Sequence, residues 1–596
     1  MGASIRPLFP GASPVLPQDL RSTPARLTAT AAAKLSRLFL LCVGLVYILA
    51  GLFYRDPWKT DDVTGLATML TALTGQDHAW LLPQVGHLAQ AQDGPLVTWV
   101  GALSIWALRA PLELFYSPLD AAIIASRVPN LLWFALLTGS IWYGTYLLGR
   151  RPESQPLALP FGGEPNPRDY GRMLADAALL LIVATVGIVW RMHETSEVPA
   201  LIACQALAFY AVARMLDHPV SGAITLGIAM GLSFLARGWL GCLPLILALP
   251  VAFLPGRALA AERKWLAASA LIAATLILLW WIPARAFGPY WTESWLLWTR
   301  NAFDWPGARA WGSILRDLPW FLWPTWPLAL LALWRWRGWF GAPHIGIPLG
   351  FAVGALLTLL ASADPFEPEY ATLAVPCAVL AAFALPTLRR GVVNTLDWFA
   401  VMCFSLTAAT VWLGWVALQT GWPAQIAANI TRQTRGFEPH VAWPATAFAI
   451  LGTLAWIALA RWRLRSHPAG LWRGTALSAG GLITTWLLLA TLWMPALDYV
   501  RSYRDVSASL AAALAQYRQP GECVRTQGLG SGQRASFLVF DGIEFSFDGN
   551  CPLLLQQLSP RSLESGEAWL ADHPALWEGR RKPDRHEMFR LLRLKP

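Results

Sequence analysis

Two adjacent carboxylates, Asp61 and Asp62, stand in the stretch RDPWKTDDVTGL, a few residues beyond a first apolar run. Side by side at a lipid interface, desolvation and mutual repulsion raise the proton affinity of one of them. A carboxylate in that state suits a general base that takes a proton from a hydroxyl or an amine. The plainer alternative is structural, with Asp61 capping a helix expected over 63–74. Further polar groups gather at the ends of later apolar runs: Arg191, His193, Glu194 and Glu197; Arg237-Gly238; Arg285, Tyr290, Glu293 and Arg300; then Glu367, Glu369 and Tyr370. Charges at a membrane surface need partners or water, so convergence from distant segments predicts a shared cavity. Taken singly, each reads as a snorkelling interfacial residue. Arg237 differs, because its turn between two apolar runs is very short. Its guanidinium is expected close to bilayer depth, where a phosphate would stabilise it.

Other chemistries lack their residues. The sequence has no Walker-type phosphate loop, no Gly-rich nucleotide fingerprint after a strand and no HExxH. His87, His193 and His440 are scattered without metal-ligand spacing. That argues against a structural zinc and leaves open a divalent ion at a carboxylate cluster. With no cytoplasmic domain large enough for a nucleotide, any group transfer needs an activated group delivered within the membrane.

The elements that must position these residues follow from composition. Of 596 residues, 55% are hydrophobic and only 14% charged, and the mean hydropathy is +0.43. Soluble domains carry about a quarter charged residues, so most of this chain has lipid as its solvent. The 34 tryptophans suit many membrane interfaces. The net charge of +10 does not indicate nucleic acid, because the basic residues fall in short runs between apolar segments. Arg150-Arg151, Arg335/Arg337, Arg389-Arg390 and Arg461/Arg463/Arg465 have the pattern of cytoplasmic loops. Residues 1–34 are expected as a cytoplasmic tail, with an uncleaved signal anchor over 38–53. Twelve further spans are expected near 126–148, 173–190, 199–215, 221–235, 239–254, 265–283, 319–334, 345–362, 370–387, 395–417, 443–460 and 475–493. Leu96–Leu112 is apolar enough to be a thirteenth addition, but counting it would invert every later basic loop. It reads instead as an interfacial or re-entrant helix. The expected fold is thus an all-α polytopic membrane protein of about thirteen spans over 35–493. An external loop, 54–125, carries amphipathic helices, and 494–596 forms a small external α+β domain. In that domain a helix is expected over 506–517, and a hairpin over 535–540 and 543–547 around Asp541-Gly542. A disulfide between Cys523 and Cys551 fits an oxidising compartment.

One ordered set of short motifs resembles a known family. It comprises Thr60-Asp61-Asp62, Trp80-Leu81-Leu82-Pro83, Asp93-Gly94-Pro95-Leu96, Ser126-Arg127-Val128-Pro129, the run Gly227–Gly238 ending in Ala236-Arg237-Gly238, and Tyr370–Pro376. Over residues 35–390 these resemble the GT-C membrane glycosyltransferases, in the protein mannosyltransferase-like branch that contains the aminoarabinose lipid A transferases. The resemblance implies an inverting transfer, at the outer face of a bacterial inner membrane, from a polyprenyl-phosphate sugar to a lipid or glycan acceptor. It implies Asp61 as base, with Asp62 in the place of the family's Glu. Arg237 takes the place of a Lys before Gly, and Tyr370 that of a Tyr near the donor phosphate. Arg55, Lys59 and Arg285 are the other candidate phosphate cations; Glu194, His193, Asp93 and Trp80 are candidates for the acceptor cavity. Membrane lipids are expected partners, nucleic acid is not, and no cofactor is required.

The departures share a direction. The family's D-E-x-R-Y is here Asp61-Asp62-Val63-Thr64-Gly65. A Lys before Pro-Pro-Leu is replaced by Asp93, and a basic residue before the late Tyr by Glu367-Pro368-Glu369. Each removes positive charge. Two further readings stay open: a flippase for lipid-linked saccharides, and a non-catalytic member serving as a partner subunit.

Overall fold

In lipid every backbone N–H and C=O must be bonded within its own segment, so apolar runs become helices. The computed structural model describes residues 23–254, 257–465, 470–546, 549–558, 575–582, 584 and 587–594. Most of the expected 1–34 tail, up to residue 22, lies outside the described residues. Among the described residues nine helices are long and apolar enough to cross a membrane. The chain is a multi-pass membrane protein. One of the nine, Pro219–Ala252, covers two of the expected spans, and three more spans fall on shorter helices, so all thirteen expected segments are helical. Leu96–Leu112 is a short apolar helix. It lies against Asp61–Thr74, where a Cβ on Gly101 would fall 2.2 Å from the Met69 sulfur.

Pro219–Ala252 is not one rod. Arg237 (φ −143°, ψ 30°) and Gly238 (φ 56°, ψ −141°) leave helical geometry. A Cβ on Gly241 would lie 2.3 Å from the Ser233 carbonyl oxygen, eight residues earlier. Eight residues of straight helix rise about 12 Å, so the chain reverses here into a helical hairpin with Arg237 at its tip. The positive φ at position 238 is one that glycine adopts without strain.

The external loop folds as the helix Asp61–Thr74, a two-stranded ribbon pairing Gln84-Val85 with Leu88-Ala89, and the helices Leu96–Leu112 and Pro118–Arg127. In Asp61–Thr74, Val63, Leu66, Ala67 and Met69 are buried. They pack against Ala102 and Ile105 on one side and against Ala535 and Val539 of the C-terminal region on the other.

The C-terminal region is α+β. It begins with the helix Arg504–Tyr517, and its four strands are Val524–Gln527, Leu553–Leu558, Ala575–Gly579 and Met588–Arg593. Numbered in chain order, they lie 1-2-4-3 across the sheet, with the first pair parallel and the others antiparallel. The expected hairpin is absent: 535–540 belong to the helix Ser531–Asp541, residues 543–546 form one isolated bridge at Ser546, and Phe547 lies outside the described residues. Two parallel strands need a crossover, and this helix supplies it. Gly542, at φ +63°, ends the helix as a left-handed cap, its N–H donating to the Leu538 carbonyl. Asp-Gly here is a helix stop. Cys523 and Cys551 are joined by a disulfide with Cα atoms 5.0 Å apart. It staples the end of the parallel pair where Val524 faces Leu553.

Candidate functional site

Adjacent residues on a helix point about 100° apart, and the two aspartates therefore have different surroundings. Asp62 turns inward and is 1% exposed. Its Oδ2 accepts from Arg55 Nη1 (2.7 Å), Arg127 Nη2 (3.1 Å) and the Trp58 N–H (3.3 Å). Its Oδ1 accepts from the Thr195 N–H (2.8 Å) and Oγ1 (2.9 Å). Burial alone would raise its proton affinity, but the Arg55 and Arg127 guanidiniums prevail and hold it at about 2. The raised affinity expected within the pair is thus not found on Asp62, which is a buried structural anion. Arg127 also donates to the carbonyls of Leu52, Arg55 and Asp56, and Arg55 to that of His193. The knot ties the first loop to the 192–197 turn.

Asp61 faces outward into an open cavity of about 620 Å³. On the same helical face Thr64, Gly65 and Thr68 line the wall. The remainder comes from Gln90, Gln92 and Asp93, from Thr195, Ser196 and Glu197, and from Arg237, Phe366 and Ser531. The Asp61 side chain is 28% exposed, and its Oδ2 accepts from Arg191 Nη1 at 3.0 Å. Helix and turn meet without a gap: a Cβ on Gly65 would lie 1.7 Å from the Thr195 carbonyl oxygen. The Tyr that the resembling family carries at this position has no room here. Gly65→Ala is expected to push the 192–197 turn off the helix and to lower the midpoint of thermal unfolding by about 1–2 °C, as a change of about 1–3 kcal/mol would in a chain of this length.

At the hairpin tip Arg237 is 5% exposed. Its Nη1 donates to Glu197 Oε1 (2.5 Å) and Asp93 Oδ1 (3.3 Å), its Nε to Glu369 Oε1 (3.0 Å), and Phe366 stacks beneath it. Arg191 likewise holds Asp61, Glu194 (Nη1 to Oε2, 2.7 Å) and Glu367. Two arginines thus face six carboxylates, from four stretches of chain. Burial, and then the nearby Glu197 carboxylate, push Asp93 well above its ordinary range; burial likewise raises Glu197, against the pull of Arg237. Burial lifts Glu194 to about 7 despite Arg191. Proton affinity is thus raised on two carboxylates of the cavity wall, Asp93 and Glu197, and on Glu194 behind it.

Of the residues singled out in the sequence, Asp61, Asp93, Glu197 and Arg237 come together on the cavity wall. Asp62 and Arg55 lie behind it. Lys59 turns away, its Nζ 2.5 Å from Glu587 of the C-terminal region. Arg285 is exposed at the last turn of Lys264–Phe287 and does not line the cavity. Tyr370 is buried, its hydroxyl donating to the Pro365 carbonyl at 3.2 Å, and it is not in the wall. His193 is buried between Tyr47 and Trp486, its ring nitrogens facing the Val189 and Tyr47 carbonyls, and burial lowers it to about 4. Glu194 braces Arg191 from behind, also accepting from Trp190 Nε1 (2.6 Å). Trp80 is half-buried among the apolar residues of the external loop. Sequence reasoning placed Arg191 only among the charges expected to converge and Arg127 only within a motif, and it missed Ser531, through which the C-terminal region reaches the cavity.

No protein-family model and no curated relative matches the chain. Among solved structures it is similar to ArnT from Cupriavidus metallidurans bound to undecaprenyl phosphate, with 17% identity and a TM-score of 0.61 over 93% of this chain and 97% of that one. It is equally similar to the apo state of that protein, with 15% identity and a TM-score of 0.60 over the same shares. The chain has the GT-C fold.

Proposed function

We propose that the protein is a glycosyltransferase of a bacterial inner membrane, moving a sugar from a polyprenyl-phosphate donor to a lipid or glycan acceptor at the periplasmic face with inversion. The observation that carries this reading is Asp61, a partly exposed carboxylate on the wall of an open cavity beside the hairpin tip. The fold is one in which a similar protein, ArnT, binds undecaprenyl phosphate. In the reaction an acceptor hydroxyl gives its proton to Asp61 as its oxygen attacks the anomeric carbon. The bond from that carbon to the phosphate oxygen breaks, and polyprenyl phosphate leaves. Arg191, bonded to Asp61, keeps it oriented. Arg237 faces the leaving phosphate, and Asp93, at 3.3 Å, is the partner that a phosphate oxygen would displace most readily. Stabilisation of that leaving anion supplies most of the rate. The reaction calls for no cofactor.

One observation favours a second reading: Arg237 on the cavity wall and Arg191 beside Asp61 are already engaged by carboxylates, as in a member that has given up donor binding and serves as a partner subunit. Proteoliposomes of the purified protein, given labelled polyprenyl-phosphate sugar and an acceptor-lipid extract, separate the readings. The expected result is label on the acceptor with release of polyprenyl phosphate. Transfer only after addition of a second transferase would assign the subunit role, and unaltered donor crossing the bilayer would assign a flippase.

A further inference from the structure

The bundle end opposite Asp61 carries a second opening. The helix Arg37–Leu49 starts there and runs toward the Asp61 end. With Pro129–Gly149 and Pro167–Val183 it bounds an open groove of about 1490 Å³. The inner wall is apolar, with Leu40, Ala135, Gly139, Tyr143 and Leu179. A Cβ on Gly139 would meet nothing within 4 Å, so the space over that turn is open.

The mouth is cationic. Lys34, Arg37 and Arg172 line it, against one carboxylate, Asp176. That carboxylate already accepts from the Leu35 N–H (3.1 Å) and Trp142 Nε1 (2.8 Å). Arg150 and Arg151 close the far end of Pro129–Gly149 on the same side, pairing with Asp217. A basic bundle end of this kind faces the cytoplasm and its anionic lipids. The length of the first helix agrees. Its thirteen residues span roughly 20 Å, short of a hydrocarbon core of about 30 Å, and Leu38, Leu41 and Leu45 on it are exposed.

We infer that this groove holds an anionic glycerophospholipid of the cytoplasmic leaflet, its phosphate between Lys34, Arg37 and Arg172 and one acyl chain along Leu40, Gly139 and Leu179. The two chemistries in one groove, cations at the mouth and an apolar channel behind them, fit a phosphodiester lipid. A soluble anion would use only the mouth. The length of the first helix separates the groove from the Asp61 cavity, so the site is independent of any donor.

The test is native mass spectrometry of the full-length chain in detergent, titrated separately with phosphatidylglycerol, phosphatidylcholine and inorganic phosphate. Wild type is expected to retain one phosphatidylglycerol with at least tenfold preference over each of the others. Lys34→Gln/Arg37→Gln/Arg172→Gln should remove that preference through the charges. Gly139→Trp should remove it through the channel alone, leaving the charges in place. Thermal unfolding with and without phosphatidylglycerol gives a second readout, a rise in midpoint expected for wild type and absent from both variants. Retention unchanged in either variant, equal retention of phosphatidylcholine, or preference for free phosphate would each overturn the inference.

Discussion

Asp61→Asn should cut sugar transfer by roughly two to four orders of magnitude, the contribution of a well-placed general base, while leaving the protein as stable as wild type. An amide still accepts a hydrogen bond from Arg191 but takes no proton from an acceptor hydroxyl. Arg191 keeps Glu194 and Glu367, and a partly exposed ion pair is worth about 0–1 kcal/mol, so folding has little to lose. The measurement is turnover of labelled donor in proteoliposomes beside the unfolding midpoint of the same sample. Undiminished turnover would remove Asp61 from the mechanism, and an equal loss of folded protein would reassign it to structure.

Its neighbour should behave in the opposite way. Asp62→Asn is expected to lower stability by roughly 3–5 kcal/mol, because Arg55 and Arg127 are then left buried without their anion. The amide NH₂ must also face either those guanidiniums or the Thr195 N–H, all of them donors. The pH dependence has a definite sign. The carboxylate sits at about 2 in the folded chain against 3.8 as its ordinary value. The stability it supplies is therefore complete above pH of about 4 and is lost as pH falls through 2. The gap between wild type and variant should stay constant from pH 7 to 5 and close only under stronger acid. Tryptophan fluorescence during thermal unfolding in detergent reads both effects. A variant that unfolds with wild type at pH 7 would show that the Asp62 network is dispensable.

The contrast marks what the sequence could and could not convey. The spans were legible because lipid allows an apolar run only one backbone solution, and the reversal at Arg237 because Gly follows it between two apolar runs. Asp61 was legible as a carboxylate opening an amphipathic helix. The division of labour between Asp61 and Asp62 was not, since it depends on which direction the helix is packed. Arg127 stands 65 residues from Asp62, and nothing local distinguishes it from an interfacial cation. The acidity of the cavity was hidden for a similar reason. Asp93, Glu194, Glu197, Glu367 and Glu369 each resemble an isolated charge at a span end until the bundle gathers them. In the C-terminal region, alternation over 535–540 and the Asp-Gly that follows fit a strand pair and a helix with its stop equally well. Only the parallel neighbours Val524–Gln527 and Leu553–Leu558, which must be bridged, decide the matter.

Ser531 belongs to the cavity wall, and the helix it begins lies on Asp61–Thr74, so the enclosure joins a part of the chain translated early to one translated near the end. A ribosome that has threaded every apolar segment into the bilayer still holds a chamber lacking one side. The compartment is finished only once the helix that Ser531 begins has emerged, folded and docked on Asp61–Thr74.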